Sequence, residues 1–376
     1  LASDYVPADV WYSLMPGHSS RVVADHFETS QIDKSLLART MIYSWIEFDG
    51  YMFLQQLAGS GVYKLINDEQ KILGGADRPA VFEMFFRRQP WHGGYSVFAG
   101  LGPLLEDLEN LRFAPEDLAW LESRKAFSKP FLDYLAEFRF RGTIDAVPEG
   151  ELVFPQEPLL RVRGGIVECQ LVEGLVLNRL NYQSLVATKT ARIRNAAKGA
   201  GIMEFGLRRA QGPDGAFSAS RASYIGGAAG TSNALAARAL GIPAMGTMAH
   251  SWIMAFPDER AAFEAYAALY PDGSVFLVDT YDTLASGVPN AIEVGRTLAA
   301  RGKRFGIRLD SGDIQYLATR AREALDAAGL TDATIVVSNE LDEEIVERLV
   351  ADGVPVDTWG VGTNLVTGGR DRKSAV

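Results

Sequence analysis

From Gly201 onward, short apolar runs alternate with longer stretches whose apolar residues recur at helical spacing. The runs at 201–207, 242–247, 274–279, 304–309, 334–337 and 358–361 predict six strands. Between them the 3.6-residue period predicts helices over 218–226, 232–240, 257–270, 291–301, 314–330 and 341–352. Strands and helices taking turns in this way predict a parallel sheet with right-handed crossovers. The even spacing and the number of strands favour a barrel, complete or incomplete, over a small open sheet.

Upstream of Gly201 the pattern is different. Residues 166–191 carry the helical period without interruption and predict one or two long helices. Residues 80–86 and 95–100 read as a hairpin-like pair joined by the Gly-rich crossing Gln89-Pro-Trp-His-Gly-Gly94. Helices over 101–111, 115–121 and 130–138 follow, and then two short β segments at 151–154 and 159–162. The expected architecture is a smaller α+β domain over 1–165 and an α/β barrel with the active site over 166–376. Within the first domain, residues 36–56 have helical spacing, 62–66 suggest a strand, and Gly74-Gly75 suggests a hinge.

Composition narrows the functional classes. Hydrophobic residues make up 47% of the 376 and charged residues 22%, which fits a soluble protein with a large core. A net charge of −10 argues against broad binding to nucleic acid or to anionic membranes. It leaves room for a small anionic substrate, because individual arginines and helix N-termini can hold one. Cys169 is the single cysteine, so no intrachain disulfide is possible, as expected of a reducing cytoplasm. Residues 1–20 lack the apolar core of a signal peptide, and no apolar run is long enough to suggest a membrane span.

In a parallel barrel the chemistry sits at the carboxyl ends of the strands. After the fourth predicted strand comes Arg308-Leu-Asp310-Ser-Gly-Asp313. Its carboxylates suit ribose hydroxyls or a magnesium ion, and its guanidinium suits a carboxylate or phosphate. The same residues also suit a capped turn. Arg208 and Arg209 follow the first strand in a Gly/Pro loop, where they can bind an anion or simply face solvent. The run Gly226-Gly-Ala-Ala-Gly-Thr-Ser-Asn233 is either a phosphate cradle or a tight turn between helices. His250 is the one histidine at a predicted strand end, flanked by Thr247 and Ser251-Trp252. Asp279 and Asp282 follow the third strand. Ser338 follows the fifth strand, and Gly360, Gly362 and Thr363 lie at the last, the composition of the phosphate site that many barrels build there. No tight zinc cluster, Gly-x-Ser-x-Gly elbow or phosphate-binding Gly-Lys-Ser/Thr loop is present.

Five ordered motifs together resemble the nicotinate phosphoribosyltransferases, relatives of the nicotinamide and quinolinate phosphoribosyltransferases. They are Glu204-Phe-Gly-Leu-Arg-Arg-Ala-Gln-Gly-Pro-Asp214, Gly246-Thr-Met-Ala-His-Ser251, Val278-Asp-Thr-Tyr-Asp-Thr283, Ile307-Arg-Leu-Asp-Ser-Gly-Asp313 and Trp359-Gly-Val-Gly-Thr363. The resemblance runs from about Arg78 to Thr367 and implies an incomplete α/β barrel with a smaller domain. It implies formation of nicotinate mononucleotide and pyrophosphate from nicotinate and phosphoribosyl pyrophosphate, with ATP as co-substrate and Mg2+ as cofactor, in NAD salvage. Carried over by motif, His250 is the histidine phosphorylated by ATP, and Asp310 is catalytic and holds the ribose. Thr247, Arg308 and Arg209 meet nicotinate. Arg208, Asp310, Asp313, Ser338, Gly360, Gly362 and Thr363 meet phosphoribosyl pyrophosphate, and Asp279 and Asp313 meet the metal. A cytoplasmic homodimer acting on small molecules, with no nucleic acid or membrane partner, is also implied. Residues 1–77 follow the family least: Ser3-Asp4-Tyr5 stands where the family opens with Thr-Asp-Leu-Tyr-Gln, and Gly61-Val-Tyr-Lys-Leu65 resembles a strand the family carries near its C-terminus. The alternatives are a nicotinamide- or quinolinate-using enzyme, or an inactive relative that still binds ligand.

Overall fold

The computed structural model describes residues 78–125, 127 and 129–368. The helix expected over 36–56, the strand over 62–66 and the hinge at Gly74-Gly75 lie outside the described residues. Two compact units are present; one ends at Ser184 and the other begins at Leu185.

In the first unit, alternation sets the sheet. Along β1 (Pro79–Met84), Ala80, Phe82 and Met84 turn toward the core, while Val81 and Glu83 stay exposed. The chain continues through β2 (Ser96–Val97), β3 (Thr143–Ala146), β4 (Leu152–Val153) and β5 (Leu160–Gly165). β5 is central, antiparallel to β1 on one side and to β3 on the other, with Met84 opposite Leu160 and Ala146 also opposite Leu160. β2 pairs instead with β4. The expected hairpin between 80–86 and 95–100 is therefore not formed. Trp91 and His92 adopt left-handed φ values of 52° and 51°, and the Gln89 amide donates to the Val153 carbonyl at 3.0 Å. The crossing thus hands Ser96 to the second sheet rather than turning it back along the first. Helices α1 (Leu101–Asn110), α2 (Pro115–Ser123) and α3 (Lys129–Ala136) bury Leu104, Leu121, Phe131 and Leu135 against these strands. The Glu149 carboxylate accepts from the backbone N–H groups of Gly100, Leu101 and Gly102 and so satisfies the first turn of α1.

One continuous helix, α4 (Ile166–Ala196), spans the stretch read as one or two. In the second unit six strands follow: β6 (Gly201–Glu204), β7 (Gly230–Thr231), β8 (Ser274–Leu277), β9 (Phe305–Leu309), β10 (Thr334–Asn339) and β11 (Thr358–Val361). All are parallel, in the order β7-β6-β11-β10-β9-β8. Ile307, Leu309, Ile335, Val337, Trp359 and Val361 have no exposed surface, as expected of strands covered on both faces.

The strand expected over 242–247 is reduced to a single bridge between Ala244 and Thr231. Pro243 has no N–H to give, so it only accepts from Thr231, at 3.0 Å, and Met245 donates to the Thr231 carbonyl at 2.9 Å. β7 takes a place in the sheet that the Gly-rich run was not expected to fill, and Asn233 caps the helix that follows. Counting the bridge, neighbours follow chain order around the sheet except at one place. Among the described residues no ladder joins Ala244 to β8. The architecture is an incomplete parallel α/β barrel together with a smaller α+β unit.

A buried ionic contact anchors α4 to the helix after β10. Glu343 Oε2 lies 2.5 Å from Lys189 Nζ in an ion pair, and Oε1 accepts from Arg192 Nε at 2.7 Å, with Lys189 6% and Glu343 11% exposed. Burial pushes the Glu343 carboxyl up, but the contacts with Lys189 and Arg192, a backbone N–H and the charge of Lys189 outweigh it and hold the group below its ordinary value of 4.5. Glu343→Ala should cost about 3–5 kcal/mol in denaturant unfolding, because it takes the carboxylate away from two cations that are largely out of water. The folded pKa is lowered, so the contribution is full above the unfolded value and fades as pH falls through the folded one. Melts at descending pH should show the gap between wild type and variant closing below 4.5.

Candidate active site

The site grows from the sheet register. Arg308 on β9 lies opposite Val336 on β10, so two residues further along each strand Asp310 and Ser338 come side by side. The Arg308 guanidinium is 13% exposed and is held on every nitrogen. Nε donates to Ser338 Oγ at 2.8 Å, Nη1 to Thr247 Oγ1 at 2.7 Å, and Nη2 to Asp310 Oδ1 at 2.7 Å. Ser338 Oγ in turn donates to Asp310 Oδ1. The other carboxylate oxygen, Oδ2, faces His250 Nε2 at 3.6 Å. His250 opens the short helix α5 (His250–Met254), and its Nδ1 lies 3.1 Å from Thr280 Oγ1. Asp279 Oδ2 accepts from the Asp310 N–H at 2.9 Å and from Ser311 Oγ at 2.5 Å. Its Oδ1 is buried and has no partner among the described residues.

Thr247, His250, Asp279, Arg308, Asp310 and Ser338 are thus brought together from four separate segments. Phe205 joins them, its ring centroid 5.6 Å from the Arg308 guanidinium carbon. Gly360 is explained by that ring, since a Cβ there would stand 2.7 Å from it. Phe205 and Thr280 lie inside two quoted motifs, yet composition gave them no role; an aromatic residue at a strand end beside a glycine on the neighbouring strand was the available signal.

Among the described residues, the remaining expected ones form no hydrogen bond to this cluster, though Gly362 lies against the Phe205 backbone. Arg208 and Arg209 are exposed in the 3-10 turn Leu207–Arg209 and form no ion pair among the described residues. Asp313 is exposed and caps the helix Ile314–Ala327, its Oδ1 accepting from the Tyr316 N–H at 3.1 Å. Gly362 precedes the four-residue helix Thr363–Val366, and Thr363 Oγ1 donates to Glu340 Oε1 at 3.1 Å. Among the described residues, no three His, Cys, Asp or Glu side chains come together as a ready metal cage.

Comparison with known proteins places this arrangement. The nicotinate phosphoribosyltransferase N-terminal domain model matches residues 61–181, and the nicotinate phosphoribosyltransferase family model matches 200–375. The crystal structure of human nicotinic acid phosphoribosyltransferase superposes with a TM-score of 0.71 at 35% identity, over 80% of this chain and 72% of that one. The chain belongs to the nicotinate phosphoribosyltransferase family. The nicotinate phosphoribosyltransferase of Bacillus subtilis is 47% identical over 291 residues, 77% of this chain and 59% of that protein. A Mycobacterium tuberculosis nicotinate phosphoribosyltransferase, pncB2, is 49% identical over 287 residues, 76% of this chain and 62% of that protein. The chain therefore spans about three-fifths of the length of these curated relatives. A structure of nicotinate-nucleotide pyrophosphorylase from Pyrococcus furiosus is 25% identical with a TM-score of 0.64. The N-terminal match begins at 61, inside the stretch whose motifs follow the family least.

In this nicotinate phosphoribosyltransferase family member the central carboxylate is kept charged. Burial alone would push Asp310 up. The Ser338 hydrogen bond, then the charge and hydrogen bond of Arg308, then the charge of His250 outweigh burial and hold it below its usual range. Ser338→Ala removes the first of these opposing contributions, so the Asp310 pKa should rise. Carboxyl carbon NMR across an acid titration reads this directly; an unmoved Asp310 signal would mean that Arg308 alone sets the charge.

Proposed function

We propose that the chain joins nicotinate to the ribose of phosphoribosyl pyrophosphate, releasing pyrophosphate and giving nicotinate mononucleotide for NAD salvage. The observation that carries this reading is the Arg308 guanidinium held beside an ionised Asp310 at a strand end. Arg308 has five N–H groups, and one on Nη2 is left after the bonds to Ser338, Thr247, Met248 and Asp310. That N–H and the Thr247 hydroxyl suit the carboxylate of nicotinate, a charge-assisted pairing that an uncharged amide does not match. Quinolinate would bring two carboxylates to this one guanidinium.

As the ring nitrogen attacks and pyrophosphate departs, positive charge grows on the sugar, and the Asp310 carboxylate stabilises it. Asp279, with its unpartnered Oδ1, fits a magnesium ion, which when bound would offset charge on the leaving pyrophosphate. Asp313 is the second candidate ligand, through whatever its capping role leaves available. Arg208 faces solvent with its charge unspent and suits the pyrophosphate; Arg209 likewise suits an incoming anion. Ser338, Gly360, Gly362 and Thr363 are assigned to the sugar phosphate, and Thr363 must exchange Glu340 for it. His250, 41% exposed beside Asp310, is assigned to ATP-dependent phosphorylation. No helix among the described residues is long and apolar enough to cross a membrane. A cytoplasmic homodimer completes the reading.

The deciding experiment is a mass-resolved assay with nicotinate, nicotinamide and quinolinate, each with and without ATP. Nicotinate should give the mononucleotide, in greater yield with ATP; product from another base alone overturns the reading. Arg308→Ala should raise the Michaelis constant for nicotinate by the equivalent of roughly 2–5 kcal/mol. Because Arg308 also holds Asp310, turnover should fall with it, and a variant that loses only affinity for phosphoribosyl pyrophosphate would reassign the guanidinium. His250→Asn should abolish acid-labile phosphate on the chain after incubation with labelled ATP while slow synthesis continues. Label persisting on that variant would remove His250 from the role.

A further inference from the structure

The sheet gives no ladder between Ala244 and β8, yet the site reaches across that gap. Thr247 and His250 come from one flank; Asp279 and Thr280 come from the other. Backbone pairing cannot keep these flanks in register there. Packing of the helices behind them must do so.

At that packing lies Glu259, in the first turn of the helix Glu259–Leu269 and only 3% exposed. This helix is tied to α5 by Trp252, whose indole N–H donates to the Ala262 carbonyl at 3.2 Å. From it Glu259 reaches to the opposite flank. Its Oε2 accepts from Ser286 Oγ at 2.7 Å and from Asn290 Nδ2 at 3.1 Å. Ser286 belongs to the π-helical turn Thr283–Gly287 that follows Asp279 and Thr280. That turn lies tight on the end of β8: a Cβ on Gly287 would stand 1.9 Å from the Val278 carbonyl oxygen. A shift at Ser286 is therefore passed to residues 278–280 with little slack.

The arrangement is energetically expensive. Glu259 Oε1 is buried without a partner, and among the described residues no cation pairs with this carboxylate. An apolar side chain of similar size would fill the space at lower cost. What the carboxylate uniquely supplies is one acceptor shared by two donors on the far flank. We propose that Glu259 is a positioning residue for His250, holding the two flanks of the open side in register so that the imidazole meets Thr280 and Asp310. The proposal rests on the reading of His250 as the phosphorylated group only for its activity readout.

The test compares the full chain with Glu259→Ala, Glu259→Gln and Ser286→Ala. It reads the His250 ring signals by proton–nitrogen NMR, assigned with His250→Asn, and phosphate incorporated from labelled ATP. Glu259→Ala and Ser286→Ala should both shift the His250 signals and lower incorporation on the order of a hundredfold, the cost of a misplacement of roughly 1 Å. Thr247 is held separately by Arg308, so the Michaelis constant for nicotinate should change far less than phosphate incorporation. Glu259→Gln keeps an acceptor for Ser286 and Asn290 and should restore both readouts. If Glu259→Ala does not fold, Ser286→Ala breaks the same contact and decides alone. Unmoved His250 signals, or a Gln variant no better than Ala, overturn the proposal. If the wild-type chain takes up no phosphate, the ATP assignment fails, and the ring signals still decide the role of Glu259.

Discussion

The contact on which the site depends is the pairing of Arg308 with Asp310. A half-buried carboxylate at a strand end is unstable as an anion unless something offsets its lost hydration. Arg308 and Ser338 supply that offset, and both are placed by the parallel register of β9 and β10. The guanidinium also fixes Thr247, and Asp310 faces His250, so the 247–250 segment, which shares no ladder with β9, is oriented by one ion pair. Phe205 beneath the guanidinium and Gly360 beside Phe205 extend the same dependence to β6 and β11.

Much of this was legible in the chain. The apolar runs ending at Leu309, Val337 and Val361 are strands buried on both faces, and a continuous apolar signal has few other readings. The cluster of Thr247, His250, Asp279, Arg308, Asp310 and Ser338 could be anticipated as residues at strand ends. Their mutual bonds could not, because those depend on register, which sequence spacing alone does not supply. Pro243 could have warned that 242–247 would contribute little pairing, since a residue without an N–H does poorly inside a ladder. The hairpin reading failed for a related reason: adjacency in sequence suggested pairing, while the left-handed turn at Trp91 and His92 sent β2 to another partner. Asp313 shows the opposite ambiguity. The Asp-Ser-Gly-Asp run invites a catalytic reading of both carboxylates, and the fold uses the second as a helix cap.

Glu259 and Glu343 illustrate two fates for a buried carboxylate. Glu343 has two cations within salt-bridge distance and is stabilised by them. Among the described residues Glu259 has only a hydroxyl and an amide, and one oxygen is left without a partner. Neither was visible in the sequence, where both sit in ordinary acidic helix starts after an Asp cap.

The unladdered side of the sheet has a consequence for how this scaffold can diversify. In a closed barrel the width of the mouth follows from strand number and shear, and changing it means rebuilding the whole hoop. Here one edge of the mouth is spanned by side chains at 247, 250 and 280 instead of by backbone. The aperture can therefore be retuned one substitution at a time, while the strands that carry Arg308 and Asp310 keep their register. A lineage built on such a frame can reshape its mouth without relearning how to fold.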